Sequence, residues 1–162
     1  MNSPRNKSGT IALIILAAGG SRRMGQSKQL LPIGGEPLIK HVVREGLRSK
    51  CFPVIAVLGD KYARILPEIE NLPVYIARNR NWSRGISSSI KCGLDTLQVV
   101  YPKAPAVILA VGDQVQVSSG VFNGIVDVFR SFSAQIIASR YQGTKGTPAL
   151  FTKKYFSDLR SL

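Results

Sequence analysis

The sequence is short of the residues that several common chemistries require. Among 162 residues there is one histidine, His41, and there are two cysteines, Cys51 and Cys92. A single histidine argues against a histidine-rich zinc site and against a Ser-His-Asp triad. The two cysteines lack metal-ligand spacing and are too few for a disulfide framework, which suits a reducing cytosol. Acidic residues are also scarce, 9 against 22 Lys and Arg, and none occurs before Glu36. The longest apolar stretch, Ile11 to Ala18, falls far short of the roughly 20 residues needed to cross a bilayer. Arg5 and Lys7 before it and Ala17-Ala18-Gly19 after it imitate a signal peptide, but the stretch is short and Arg22-Arg23 follows at once; a buried strand explains it better.

What is present fits one α/β domain. The hydrophobic share of 44% and charged share of 19% exclude a disordered chain, and the 15 glycines lack a collagen period. Residues 1–9 read as a polar leader and 10–162 as one domain. The net charge of +13 predicts attraction to anions. The basic residues are scattered, however, and aromatic residues do not interleave with them as base stacking requires, so neither nucleic acid nor membrane is expected as a partner.

Short runs that are apolar throughout, without polar alternation, indicate strands covered on both faces. They fall near Ile11 to Ala17, Val54 to Leu58, Val74 to Ala77, Ala106 to Val111 and Gln135 to Ser139, with a short one around Ala149 to Phe151. Between them lie helical patterns. Pro37 suits a first helical turn before Leu38, Val42 and Leu47; Ser87 to Val99 and Ser118 to Phe132 follow, with Ser118 or Ser119 as cap. The alternation predicts a three-layer α/β/α sandwich with a mostly parallel, Rossmann-like sheet, and ligands in such sheets bind beyond the carboxyl ends of the strands.

The segment after the first strand runs Leu16-Ala17-Ala18-Gly19-Gly20-Ser21-Arg22-Arg23-Met24-Gly25-Gln26-Ser27-Lys28. Glycines let backbone amides approach phosphate oxygens, and Arg23 and Lys28 can neutralise phosphate charge. A P-loop fails, because Gln26 stands where its lysine must be, and the dinucleotide fingerprint is absent. Asp113, in Val111-Gly112-Asp113-Gln114, follows a strongly apolar strand; a carboxylate there suits a hard cation such as Mg2+, although aspartate also serves turns and caps. In Asn79-Arg80-Asn81-Trp82-Ser83-Arg84-Gly85-Ile86-Ser87-Ser88 the serines can cap a helix or hold a ligand, and Trp82 reads as a packing residue.

Together these segments resemble the MobA-like nucleotidyltransferases, and within them the molybdenum cofactor cytidylyltransferase branch. The first matches the signature L-A-A-G-x-S-x-R-M-G-x-x-K-x-L-L; the second matches G-D-Q-P, with Val115 in place of proline; the third matches N-x-x-W-x-x-G-x-S-x-S. Gly143 to Phe151 is similar to the family's G-x-P-x-L-F strand, with Thr147 where histidine is usual. The resemblance implies a nucleotide-diphospho-sugar transferase fold. It further implies Leu16, Ala17, Ala18, Gly19, Asn79, Gly85, Ser87 and Ser88 along a nucleotide, Arg23 and Lys28 on its phosphates, and Asp113 on Mg2+.

By the same resemblance the donor is CTP, because the GTP-using branch reads L-A-G-G with Asp-Lys before the leucines, whereas this chain has Ala18 and Ser27-Lys28. The acceptor is a phosphorylated pterin of the molybdenum cofactor type, pyrophosphate is the product, the setting is cytoplasmic, and a molybdoenzyme or its chaperone is the implied protein partner. Family members continue beyond the point matching Leu159 with a segment whose acid helps hold the metal. The resemblance therefore implies a fragment or frameshifted product, or a site with one protein carboxylate and more water, and an uncovered sheet edge that predicts poor stability or dimerisation. The rivals are a related enzyme with GTP or another nucleotide and a different phosphorylated acceptor, an inactive nucleotide-binding module, and, from charge alone, a nucleic-acid binder.

Overall fold

A computed structural model describes residues 9–20 and 27–162. β1 (Ala12–Ala17) is buried along its whole length. Its side chains divide between two cores: Leu13, Ile15 and Ala17 enter one, and Ala12, Ile14 and Leu16 the other. This is why the strand reads as continuously apolar: both faces are covered.

The main sheet has six strands in the order β5 (Tyr75–Arg78), β4 (Val54–Leu58), β1, β6 (Ala106–Val111), β8 (Thr144–Thr152) and β7 (Ile136–Tyr141). The first four are parallel, with Leu16 beside Val57 on one side and Val111 on the other. β8 runs antiparallel to both β6 and β7. A small ribbon of β2 (Pro32–Ile33) and β3 (Glu36–Pro37) leads into α1 (Leu38–Arg48). α1, α2 (Tyr62–Ile69) and α4 (Ser119–Ser131) cover one face through Val42, Ile65 and Phe122. α3 (Ile86–Val100) and α5 (Phe156–Arg160) cover the other through Leu94, Leu97 and Phe156. The expected three-layer α/β/α sandwich with a mostly parallel sheet is the observed architecture.

Two local expectations need correction. Pro37 does not sit in the first turn of α1 but precedes it, extended in β3 with ψ 142°, while the Leu38 amide donates to the Leu31 carbonyl at 2.9 Å. The short strand expected at 149–151 is the inner third of the nine-residue β8. Only Pro148, Ala149, Leu150 and Thr152 of that strand are buried, so its outer half has no apolar pattern. It becomes a strand through a hairpin: Gln142 and Gly143 both take positive φ, 45° and 84°, and this two-residue turn matches the twist of the strands. The Ser118 cap is present, its hydroxyl oxygen accepting from the Val121 amide at 3.3 Å.

Strand order reverses at β1, since the chain first builds outwards through β4 to β5 and then crosses through α3 to β6 on the opposite side. Carboxyl ends on either side of such a reversal splay apart and leave a crevice. Both cysteines are free, Cys51 buried and Cys92 half-buried. Among the described residues no helix is long and apolar enough to cross a membrane.

Candidate active site

The crevice beyond β1 and β6 has a volume of about 690 Å3, and Leu16, Ala18, Gly19, Lys28, Gly85 and Asp113 are among the residues that line it. Its floor is backbone packed against backbone. A side chain at Gly59, just after β4, would place a Cβ 2.5 Å from the Ala18 carbonyl oxygen and 2.6 Å from the Trp82 Cβ. The Asp60 amide donates to that same carbonyl at 3.2 Å. A Cβ at Gly20 would stand 2.9 Å from the Asp60 carboxylate, so the loop after β1 passes directly over the end of β4. Gly19 meets nothing within 4 Å and is exposed, which leaves its backbone open towards the crevice.

Lys28 opens a short 3-10 turn, Lys28–Leu30, and is exposed at the rim. The next residue, Gln29, is buried and fastens this turn to β1: its amide nitrogen donates to the Gly19 carbonyl at 3.4 Å, and its carbonyl accepts from the Ser27 hydroxyl at 2.6 Å. Arg23, placed on the phosphates by resemblance, lies outside the described residues.

Asp113 is exposed between two anchored neighbours. The Gly112 amide donates to the Leu16 carbonyl at 2.9 Å, and the Gln114 side-chain amide donates to the Thr147 carbonyl at 3.0 Å. Gln114 therefore ties this turn to β8, which fixes a loop that has Val115 where a proline would stiffen it. Among the described residues no group of three or more His, Cys, Asp or Glu could hold a metal. A protein cage for zinc or calcium is thus not formed by them. One exposed carboxylate at the mouth of an open crevice fits Mg2+, which keeps several waters and takes one or two carboxylates together with substrate phosphates.

The remaining expected contacts divide. Gly85, at φ 98° immediately before α3, lines the crevice with Trp82, Ile86 and Ser89. Ala17 is buried beneath it, against Gly112. Asn79, Ser87 and Ser88 line a different cavity on the other flank of the start of α3. The buried Asn79 amide donates to the Ser88 and Ser89 hydroxyls at 2.9 and 3.0 Å, and its carbonyl accepts from the Asn81 amide at 2.9 Å. The Ser88 hydroxyl points to the carbonyls of Gly85 and Asn81 at 2.8 and 2.9 Å. In this structure Asn79 and Ser88 are spent on holding the loop that forms one wall of the crevice. Trp82, read from sequence as a packing residue, packs against Gly59 and Gly20 and also faces the crevice. Gln29 falls at a variable position of the loop signature and carried no sequence signal, whereas Gln114 lies within the G-D-Q-P match, which gave it no role of its own.

Sheet order, the crevice at its reversal point and the loop that borders it are those of the nucleotide-diphospho-sugar transferase fold. Residues 13–162 match the model of the MobA-like NTP transferase domain, and the chain belongs to that family. Over 85 residues it is 39% identical to a protein named probable molybdenum cofactor guanylyltransferase, from Carboxydothermus hydrogenoformans, covering 52% of this chain and 39% of that one. It is 33% identical over 102 residues to the bifunctional enzyme IspD/IspF of Granulibacter bethesdensis, covering 61% and 25%. The crystal structure of Rv0371c from Mycobacterium tuberculosis superposes with a TM-score of 0.85 at 26% identity, covering 96% of this chain and 77% of that one. The chain spans between a quarter and two-fifths of the length of these curated relatives. These likenesses establish the family and stop short of the cytidylyltransferase branch.

Proposed function

We propose that the crevice binds a nucleoside triphosphate with Mg2+ and transfers its nucleotidyl group to the phosphate of a molybdenum-cofactor-type pterin, with CTP as donor. A phosphate oxygen of the acceptor attacks the α-phosphorus, the bond to the bridging oxygen of the β-phosphate breaks, and pyrophosphate leaves with that electron pair. In this reading Lys28 and Arg23 hold the triphosphate, and Ala18 and the exposed Gly19 lie along the nucleotide. Asp113 holds the metal, which supplies charge neutralisation on the phosphates. Little covalent chemistry falls to the chain; positioning and charge stabilisation carry the rate.

The observation that carries the proposal is the meeting, at one sheet edge, of Gly19, Lys28 and Asp113, three residues from separate parts of the chain with the chemistry that a metal-bound triphosphate needs. Ala18 and Ser27-Lys28 favour cytidine as the base. A second reading, GTP as donor, is favoured by the name of the Carboxydothermus relative.

Thermal melts of the chain with CTP, GTP, ATP or UTP, with and without Mg2+, test this. A nucleotide at 100 times its Kd adds about 2.7 kcal/mol of stability. CTP with Mg2+ is expected to give the largest rise, Asp113→Ala to remove the Mg2+-dependent increment, and Lys28→Ala to remove most of the nucleotide response. A rise with GTP alone transfers the donor role to GTP. Indifference to every nucleotide overturns the proposal.

A further inference from the structure

The second cavity, of about 830 Å3, shares no lining residue with the crevice, and the loop from Asn79 to Gly85 stands between them. Five cationic side chains line it, Arg78, Arg80, Arg84, Lys91 and Arg160, against one acidic side chain, Asp95, with the terminal residue Leu162 also lining it. The Asp95 carboxylate is engaged, because the Arg160 guanidinium donates to Asp95 at 3.1 Å and to the Leu94 carbonyl at 3.1 Å. Arg78 is held over the ring of Tyr62, 4.4 Å from its centroid, and among the described residues it makes no ion pair. Among the described residues the side chains of Arg80, Arg84 and Lys91 make neither a hydrogen bond nor an ion pair.

We propose that this cavity is an anion site for a small molecule carrying two or more linked phosphates, a diphosphate or a triphosphate, distinct from the nucleotide crevice. Five cations gathered in one concavity with a single acidic side chain, itself already paired, set up a positive potential, and a multivalent anion is what such a potential draws. Guanidinium forks match phosphate oxygens two at a time, and the lysine adds a mobile point charge. Arg80, Arg84 and Lys91 come from the turn after β5, the 3-10 turn before α3 and the second turn of α3, so they surround a compact ligand and do not form a stripe along a surface. Among the described residues no aromatic side chain lines the cavity, which favours phosphate over base as the recognised group. Because the loop lies between the two cavities, an anion here braces the wall that holds Gly85 and Trp82 against the crevice.

Calorimetric titration with pyrophosphate and with tripolyphosphate tests the site in the Lys28→Ala background, where the crevice is weakened. One site is expected to persist there, and Arg80→Ala/Lys91→Ala is expected to weaken it by about ten-fold or more, the usual scale for losing charge-assisted bonds to phosphate. Both side chains are exposed, so the folded state survives the change, and Arg80→Lys/Lys91→Arg is expected to restore most of the affinity. Orthophosphate, with one phosphate, is expected to bind far more weakly. Pyrophosphate binding within two-fold of the parent in the double alanine variant overturns the proposal. So does binding that vanishes with Lys28→Ala alone, which places pyrophosphate in the crevice only. A DNA duplex that displaces pyrophosphate and itself loses affinity with the same two substitutions reassigns the cavity to nucleic acid, and equally overturns it. Persistence of this site in a chain that ignores all four nucleotides would leave it standing while the proposed function falls.

Discussion

Glu45, on α1, accepts a hydrogen bond from the backbone amide of Ser119, the first residue of α4, at 2.8 Å. Its other carboxylate oxygen takes Arg48 Nη1 at 2.7 Å. A carboxylate at a helix start satisfies a donor that the helix cannot and meets the positive end of its dipole. α1 follows β1 and α4 follows β6, so this contact locks together, on one face, the two helices behind the crevice.

The same contact predicts an acid-sensitive step. The Ser119 amide first, and then Arg48, hold the Glu45 carboxyl below its ordinary value of 4.5. A depressed folded-state value contributes stability that is present above the unfolded value and is lost as pH falls through the folded one, so the contribution begins to fall near pH 4.5 and fades below it. Glu45→Gln is expected to cost about 1 kcal/mol at pH 7 and less at pH 3, measured by urea unfolding at both. An equal loss at the two pH values would show that shape, and not charge, carries the contact.

Two helix glycines are expected to respond with opposite sign. A Cβ at Gly93 in α3 would lie 2.7 Å from Ile14 Cγ2 and 3.1 Å from Val57 Cγ2, both in the core of the sheet. Gly93→Ala is therefore expected to destabilise by about 1–3 kcal/mol despite better helix propensity. Gly124 in α4 meets nothing within 4 Å, and Gly124→Ala is expected to stabilise by about 0.5–1 kcal/mol. Chemical denaturation of the two variants side by side decides this; a stabilised Gly93→Ala would mean that α3 can lift from β1 and β4.

Asn79→Ala removes three hydrogen bonds from a buried loop and leaves the Asn81 amide without its partner. A loss of about 2 kcal/mol is expected in unfolding experiments, together with a weaker nucleotide response, because the displaced loop carries Gly85 and Trp82 into the crevice. If nucleotide affinity fell while stability stayed within 0.5 kcal/mol, about the scatter of surface substitutions, Asn79 would touch the ligand directly.

Much of this was legible in the chain. The two-sided burial of β1, β4 and β6 is written in runs without polar alternation, and β4 and β6 begin and end where those runs do. The Ser118 cap follows from residue type and spacing. Less legible was β8, since its outer half has no apolar signal and exists as a strand only because the Gln142-Gly143 turn folds it back on β7. Asn79 and Ser88 were readable as ligand contacts or as loop supports from sequence; the fold turns their hydrogen-bonding groups towards each other.

By itself, then, the sequence determined the layers, the family and the chemistry on offer, because burial periodicity, capping and a contiguous signature are local properties. Only the tertiary structure decided which of those groups meet. Strand order 5-4-1-6 brings Ala18, Gly59, Trp82 and Asp113 to one sheet edge from four separate parts of the chain. The same order puts Arg80, Lys91 and Arg160 around a second concavity that no local pattern announces, since a scattered basic residue becomes part of a field only when folding sets it beside others.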